Sequence, residues 1–158
     1  MEPDGPHIRA AKFDEAELLS HICFRAKSYW EYPRELMGYW LESGALSVNP
    51  EAIEEFLTCV AQDEEGEVLG FYSLEIAGDE SNLRNLCVLP EFVGTDIKAT
   101  LFLHACATAE ESGAKSLSVV SDSLESGFYE EMGAELIGQR IDSTPVGERL
   151  MTIFRMNL

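Results

Sequence analysis

Pro90-Glu91-Phe92-Val93-Gly94-Thr95-Asp96-Ile97-Lys98 lies between an apolar run ending at Leu89 and a long helical pattern, and no other segment offers as much chemistry. Proline closes the preceding strand, glycine permits a sharp turn, and the first amides of the following helix are left without intrahelical acceptors. Such amides, backed by the helix dipole, favour a phosphate anion. The other reactive side chains are scattered. His21 and His104 sit among apolar neighbours and read as packed histidines; no histidine has a partner at metal-ligand spacing, so no metal site is expected. Cys23, Cys59, Cys87 and Cys106 lie far apart in apolar stretches without a Cys-x-x-Cys pair, which points to buried free thiols rather than zinc or disulfides. Tyr29, Trp30, Tyr32, Tyr39 and Trp40 crowd one helical region, where they either pack the core or receive an apolar or cationic amine.

Periodicity supplies the elements that must position these groups. His7 to Ala11 reads as a short strand, and apolar residues from Phe13 to Cys23 recur at helical spacing, predicting a helix over 14–28. Pro33 restarts a helix over 33–42, and Asn49-Pro50-Glu51 opens a short third one. Strands over 56–62 and 67–76 flank the turn Asp63-Glu64-Glu65-Gly66, and a third strand over 82–89 follows Gly78-Asp79. A helix over 96–112 ends at Gly113, a buried strand spans 116–121, and a short helix over 123–132 stops at Gly133. Two last strands, 135–139 and 150–156, are joined by the turn-rich segment 142–147. A meander entering a β-α-β unit implies an α/β (α+β) domain with a mixed, mostly antiparallel sheet of six to seven strands flanked by helices.

At 158 residues, with 46% hydrophobic and 25% charged residues, the chain fits one domain with a single core. Eleven Lys and Arg against 29 Asp and Glu give a formal charge of −18, a field that repels nucleic acid and anionic lipid. Neither is an expected partner. No apolar run approaches the roughly 20 residues of a spanning helix, and the first residues lack the pattern of a signal peptide, so a cytoplasmic location is expected.

The segment from Leu83 through Leu86-Cys87-Val88-Leu89-Pro90 and Gly94 into the helix resembles the GNAT family of acetyltransferases. Further matches are Gly66-Glu67-Val68-Leu69-Gly70-Phe71-Tyr72 and Ser121-Asp122 leading to Gly127-Phe128-Tyr129-Glu130-Glu131-Met132-Gly133-Ala134. Their order and spacing cover residues 7–157, and the segments around Tyr29-Trp30 and Pro145-Val146-Gly147 are similar to one bacterial branch of that family. The resemblance implies acetyl-CoA as co-substrate, with its pyrophosphate on the backbone of Val93, Gly94, Thr95, Asp96, Ile97 and Lys98. It implies amide donors to the thioester oxygen from Cys87 and Val88, and Tyr129 as proton donor to the departing thiolate. Glu75, or a water, would deprotonate the acceptor, and Tyr29, Trp30 and Tyr32 would line its site. The acceptor would be a primary amine of a small molecule or peptide, and a homodimer belongs among the expected assemblies.

This chain departs from the family's phosphate loop, where Val93, Asp96 and Lys98 stand in place of a polar or basic residue, a glycine, and a glycine or alanine. Asp96 would repel phosphate by about 3 kcal/mol at 5 Å and an effective dielectric near 20, unless it turns away to cap the helix by accepting the amide of residue 98 or 99. Lys98 would restore positive charge or point to solvent, and Leu124 removes a polar contact. The competing expectation is a catalytically silent descendant that kept the fold as a ligand-binding or dimerisation module.

Overall fold

The computed structural model describes residues 6–158. Among them, strands β1 (His7–Ala10), β2 (Leu57–Gln62), β3 (Val68–Ala77), β4 (Glu80–Val88), β5 (Ser116–Asp122), β6 (Glu135–Thr144) and β7 (Gly147–Asn157) form one sheet in the order β1-β2-β3-β4-β5-β7-β6. The helices are α1 (Ala16–Ser28), α2 (Arg34–Ser43), α3 (Pro50–Glu55), α4 (Ile97–Glu111) and α5 (Ser126–Glu131). All strand pairs are antiparallel except β4 with β5, which α4 connects as a crossover. The expected mixed sheet is therefore present, with seven strands.

Each face of the sheet buries an apolar stripe. On one face α4 presents Leu101, Phe102, Ala105 and Ala109 to Tyr72, Leu74, Leu86, Leu117 and Phe154, the two alanines allowing a close approach. On the other, Leu19, Ile22 and Cys23 of α1 and Ile53 of α3 cover Val60 and Phe71. Asn49 caps α3 by accepting the Ala52 amide at 2.8 Å, with Pro50 in the first turn as its type and position predict.

Several boundaries depart from the periodicity, among them the start of the helix expected over 123–132, which runs Ser126–Glu131. The helix expected from residue 14 begins as a 3-10 turn, Phe13–Glu15, before α1. The last two strands are much longer than 135–139 and 150–156, because β6 and β7 continue to a tight turn at residues 145–146. Most of β6 is exposed at the sheet edge, so no alternation of apolar and polar residues marks its second half.

What positions a site is the parting of β4 from β5. Their pairing is confined to Glu80–Asn82 against Ser116–Ser118. The Ser81 hydroxyl, donating to the Ser116 carbonyl at 2.8 Å, and the Lys115 amide, donating to the Asp79 carbonyl at 2.6 Å, reinforce that base. Just beyond, Ser73 pairs with Asn85 and Leu74 with Leu83, leaving Arg84 as an extra residue in β4. Such a bulge bends its strand, and from there to Val88 the outer edge of β4 carries no partner strand among the described residues. Gly70 fixes the same region from the β3 side, since a Cβ there would lie 2.7 Å from the Cys87 carbonyl oxygen and 3.1 Å from the Val88 Cα. Overpacking of this kind costs about 1–3 kcal/mol. Gly70→Ala is accordingly expected to lower the melting temperature by about 3–10 °C for a domain of this size, measured by differential scanning calorimetry.

Candidate active site

The parted strands open onto three cavities with shared walls. The first, of about 500 Å³, lies between the end of α1, the start of α4 and α5, and is lined by Val88, Val93, Gly94, Lys98, Phe128 and neighbours. A narrow second one of about 120 Å³ lies within the parting itself, with Cys87, Asp122, Glu125 and Tyr129 in its wall. Leu86 and Glu125 belong to both. The third, about 540 Å³, opens on the α2 side of the sheet and shares Leu83, Arg84, Val119, Val120 and Met151 with the second. The three cavities thus adjoin one another along the parted strands.

At the α4 end, the turn 90–96 leaves several amides free. Val93 and Thr95 donate to the carbonyls of Pro90 and Phe92 at 3.2 and 3.1 Å, whereas the amides of Gly94, Asp96, Lys98 and Ala99 have no acceptor among the described residues. Gly94 adopts φ +87°, a left-handed conformation that costs glycine little and L residues more, with open space where a Cβ would stand. The free amides converge on the positive end of a 15-residue helix, the arrangement that binds phosphate. The Ile97 side chain itself is buried in the core; only its backbone faces the turn.

Asp96 occupies the N-cap position but makes no side-chain cap bond, so the cap onto residue 98 or 99 is absent. Its ψ of 1° explains this: a capping side chain reaches back when its own backbone is extended, as at Asn49 with ψ 163°. The carboxylate remains exposed instead. Exposure weakens the repulsion, because at 5 Å in a dielectric near that of water two unit charges interact by only about 1 kcal/mol.

Lys98 turns into the cleft. Its ammonium lies 4.6 Å from the Phe128 ring centroid, and burial holds its pKa below the usual lysine value. An anion bound beside it would recover part of that desolvation cost.

Within the parting, strand alternation decides which amides are available. Leu89 donates to the Leu69 carbonyl at 3.0 Å; Cys87, two residues earlier, therefore also turns its amide toward β3, while Leu86 and Val88 turn theirs to the vacated edge. Of the two expected donors, Val88 faces the cleft and Cys87 is spent within the sheet.

Tyr129 is 5% exposed, held edge-on by Phe102 and Phe128 and against Phe154. Its hydroxyl has no hydrogen-bond partner among the described residues, and burial raises its pKa well above that of a free phenol. A buried, unpaired hydroxyl is unusual because desolvation is uncompensated. Here it belongs to a side chain in the wall of the passage.

The remaining expected residues separate. Tyr29 and Trp30, stacked edge-on at 5.1 Å, line the first cavity with the turn 90–96, not the far opening. Tyr32 lines none of the three; its hydroxyl donates to Asp122 and to Glu125, and its ring packs on Trp40. Glu75 lines the third cavity, paired with Arg84 at 3.6 Å.

Residue pattern alone did not disclose a charged cluster at the mouth of the parting. Asp122, 3% exposed, accepts the amides of Leu124 and Glu125 at 3.0 and 3.1 Å, and Arg149 and Lys27 approach it at 3.3 and 3.7 Å. Lys27 also meets Glu125 at 2.6 Å. Burial opposes the charge on Lys27, but Glu125 and Asp122 outweigh it and leave its pKa above the usual value. The available signal was scarcity: Lys27 and Lys98 are two of only four lysines in the chain.

Among the described residues no group of three or more His, Cys, Asp and Glu is placed to hold a metal ion, and no helix is long and apolar enough to cross a membrane.

Comparison with known proteins bears on this geometry. The family model for the GNAT acetyltransferase domain matches residues 44–144. A GCN5-related N-acetyltransferase from Rhodopseudomonas palustris superposes with a TM-score of 0.83 at 22% identity, over 100% of this chain and 99% of that one. The PaiA N-acetyltransferase from Thermoplasma acidophilum, solved in complex with coenzyme A, gives 0.72 at 18% identity, covering 96% and 98%. The ribosomal-protein-S18-alanine N-acetyltransferase from Escherichia coli gives 0.71 at 18%, covering 96% and 92%. No curated protein sequence matches significantly. The family model spans well over half of the chain, and beside it stand a parted β4–β5 pair and a turn over 90–96 with unengaged amides: the chain belongs to the GNAT family of acetyltransferases.

Proposed function

We propose that the protein transfers the acetyl group of acetyl-CoA to a primary amine of a small molecule or peptide. The observation that supports this reading is the run of adjoining cavities from four unengaged amides at the start of α4, past Tyr129, whose hydroxyl has no partner among the described residues, to the opposite side of the sheet. Free amides and the Lys98 ammonium suit a pyrophosphate, and Leu86, Val88, Phe128 and Met132 suit the less polar arm that follows it.

When bound, acetyl-CoA supplies a thioester carbonyl for attack and a thiolate as leaving group. The Val88 amide, fixed by the β3–β4 ladder and open to the cleft, donates to the carbonyl oxygen as negative charge grows there. Tyr129 donates its hydroxyl to the sulfur as the carbon–sulfur bond breaks. Glu75, on the acceptor side, accepts the proton that the amine sheds, directly or through water. Tyr29 and Trp30 pack on the cofactor side of the route, so the acceptor's surroundings come from the third cavity. The exposed apolar residues Leu136, Ile141 and Leu150 of the β6–β7 hairpin supply the face for a homodimer, to be tested by sedimentation equilibrium.

Calorimetric titration with acetyl-CoA, followed by thioester turnover against an amine panel, tests the reading: binding tighter than millimolar with turnover supports it. Absence of both would favour the silent module, the reading that Asp96 beside the phosphate turn motivates. Asp96→Gly is expected to tighten coenzyme A binding about fivefold, the equivalent of roughly 1 kcal/mol, and unchanged affinity would remove the repulsion. Lys98→Met should weaken binding by about 10- to 100-fold, the loss of a charge-assisted contact. Because burial lowers the Lys98 pKa, the wild-type affinity should fall as pH rises toward the lower edge of the lysine range, a dependence that Lys98→Met would abolish.

A further inference from the structure

Cys23 of α1 and Cys87 of β4 stand 64 positions apart in sequence, yet their sulfurs lie 3.2 Å from each other in a shared S–H···S contact. Cys87 is partly exposed and lines the narrow cavity within the parting, whereas Cys23 is 2% exposed behind it. We infer that these two residues form a dithiol that a hydroperoxide oxidises to a disulfide, a modification site joining α1 to β4 beside the acyl-transfer route.

The arrangement separates an accessible sulfur from a sheltered one. A hydroperoxide the size of hydrogen peroxide reaches Cys87 through the cavity. Its sulfur attacks the O–O bond: an S–O bond forms, the O–O bond breaks, and water leaves with the thiol proton, giving a sulfenic acid. Cys23 then attacks that sulfur, an S–S bond forms, the S–O bond breaks and a second water leaves. Two thiols lose two electrons in total and the peroxide is reduced to two waters. Contact with Cys87 and burial raise the Cys23 pKa, so its proton passes to the departing oxygen as the S–S bond forms and leaves in the second water. Few steps are needed, since a disulfide of about 2.05 Å requires the sulfurs to close by little more than an ångström.

Closing the gap draws Cys23 of α1 toward Cys87 of β4, and Lys27, one turn beyond Cys23 on α1, lines the same narrow cavity. The consequence for catalysis rests on the acyl-transfer reading; the disulfide itself does not.

The test uses the full chain carrying Cys59→Ala and Cys106→Ala, treated with hydrogen peroxide. The expected result is a monomer that has lost two hydrogens by intact mass, with one peptide cross-link, Cys23 to Cys87, reversed by dithiothreitol. Adding Cys23→Ala should leave a dimedone-reactive sulfenic acid at Cys87. Unchanged mass, oxygen addition without a cross-link, or a link between two chains would overturn the assignment. In the same samples thioester turnover should fall roughly tenfold or more on oxidation, as a displacement of about 1 Å in a transfer site implies, and recover on reduction. Full cross-linking with undiminished turnover would overturn the coupling to catalysis. Failure of the acyl-transfer reading would appear separately, as no turnover in the reduced protein.

Discussion

Tyr129→Phe is expected to lower kcat by about 100-fold while raising the melting temperature, an opposition that packing alone does not produce. General acid groups contribute roughly 10²–10⁴, and two features place Tyr129 at the lower end. A thiol of pKa about 8.5 is a fair leaving group, and burial raises the phenol's pKa, so complete proton transfer to the thiolate runs uphill. The contribution is then a hydrogen bond to developing charge, about 1.5–3 kcal/mol. On the stability side, the side chain is buried and its hydroxyl has no partner among the described residues, and phenylalanine removes that uncompensated desolvation while keeping the contacts with Phe102, Phe128 and Phe154. A gain of about 1 kcal/mol, or 2–4 °C, follows. Steady-state kinetics with acetyl-CoA and a thermal melt on one preparation decide it. Unaltered kcat with a lowered melting temperature would leave Tyr129 as a packing residue only.

The second large effect is on folding. Asp122→Ala should cost about 3–5 kcal/mol, because removing one member of a buried charge cluster leaves the others unpaired. Asp122 accepts two amides that start the turn into α5, accepts the Tyr32 hydroxyl, and faces Lys27 and Arg149. Asp122→Asn should cost less, since one oxygen still receives the amides of Leu124 and Glu125. Urea midpoints read the difference. The Lys27 pKa is raised on folding, so its share of the stability is present in full through the neutral range. That share is lost only as pH rises past its folded value, so the deficit of the alanine variant should persist across neutral pH.

Much of the frame was legible because local patterns carry it. Pro50 after Asn49, Gly113 after the long apolar helix and the Asp63 turn each mark a boundary through their own backbone chemistry, and the structure places breaks there. The turn 90–96 was also readable, as proline, glycine and a helix start lie close together. What escaped depends on residues distant in sequence. The extra residue at Arg84 and the three-pair junction with β5 leave no trace in periodicity, although they create the passage. The expected cap at Asp96 followed its residue type, and the local backbone, bent by the preceding 3-10 turn, did not allow it. Tyr32 read as a lining aromatic because its ring was visible in sequence and its carboxylate partners, 90 and 93 residues away, were not. Cys23 and Cys87 each looked solitary for the same reason.

Among the described residues, only Glu80–Asn82 and Ser116–Ser118 join the four-stranded part of the sheet to the three-stranded part along their common edge. The molecule is therefore two half-sheets sharing a short seam, with α4 bridging them. Any compound lodged above that seam acts as a wedge touching both halves, and its grip is transmitted as rigidity to strands it never contacts.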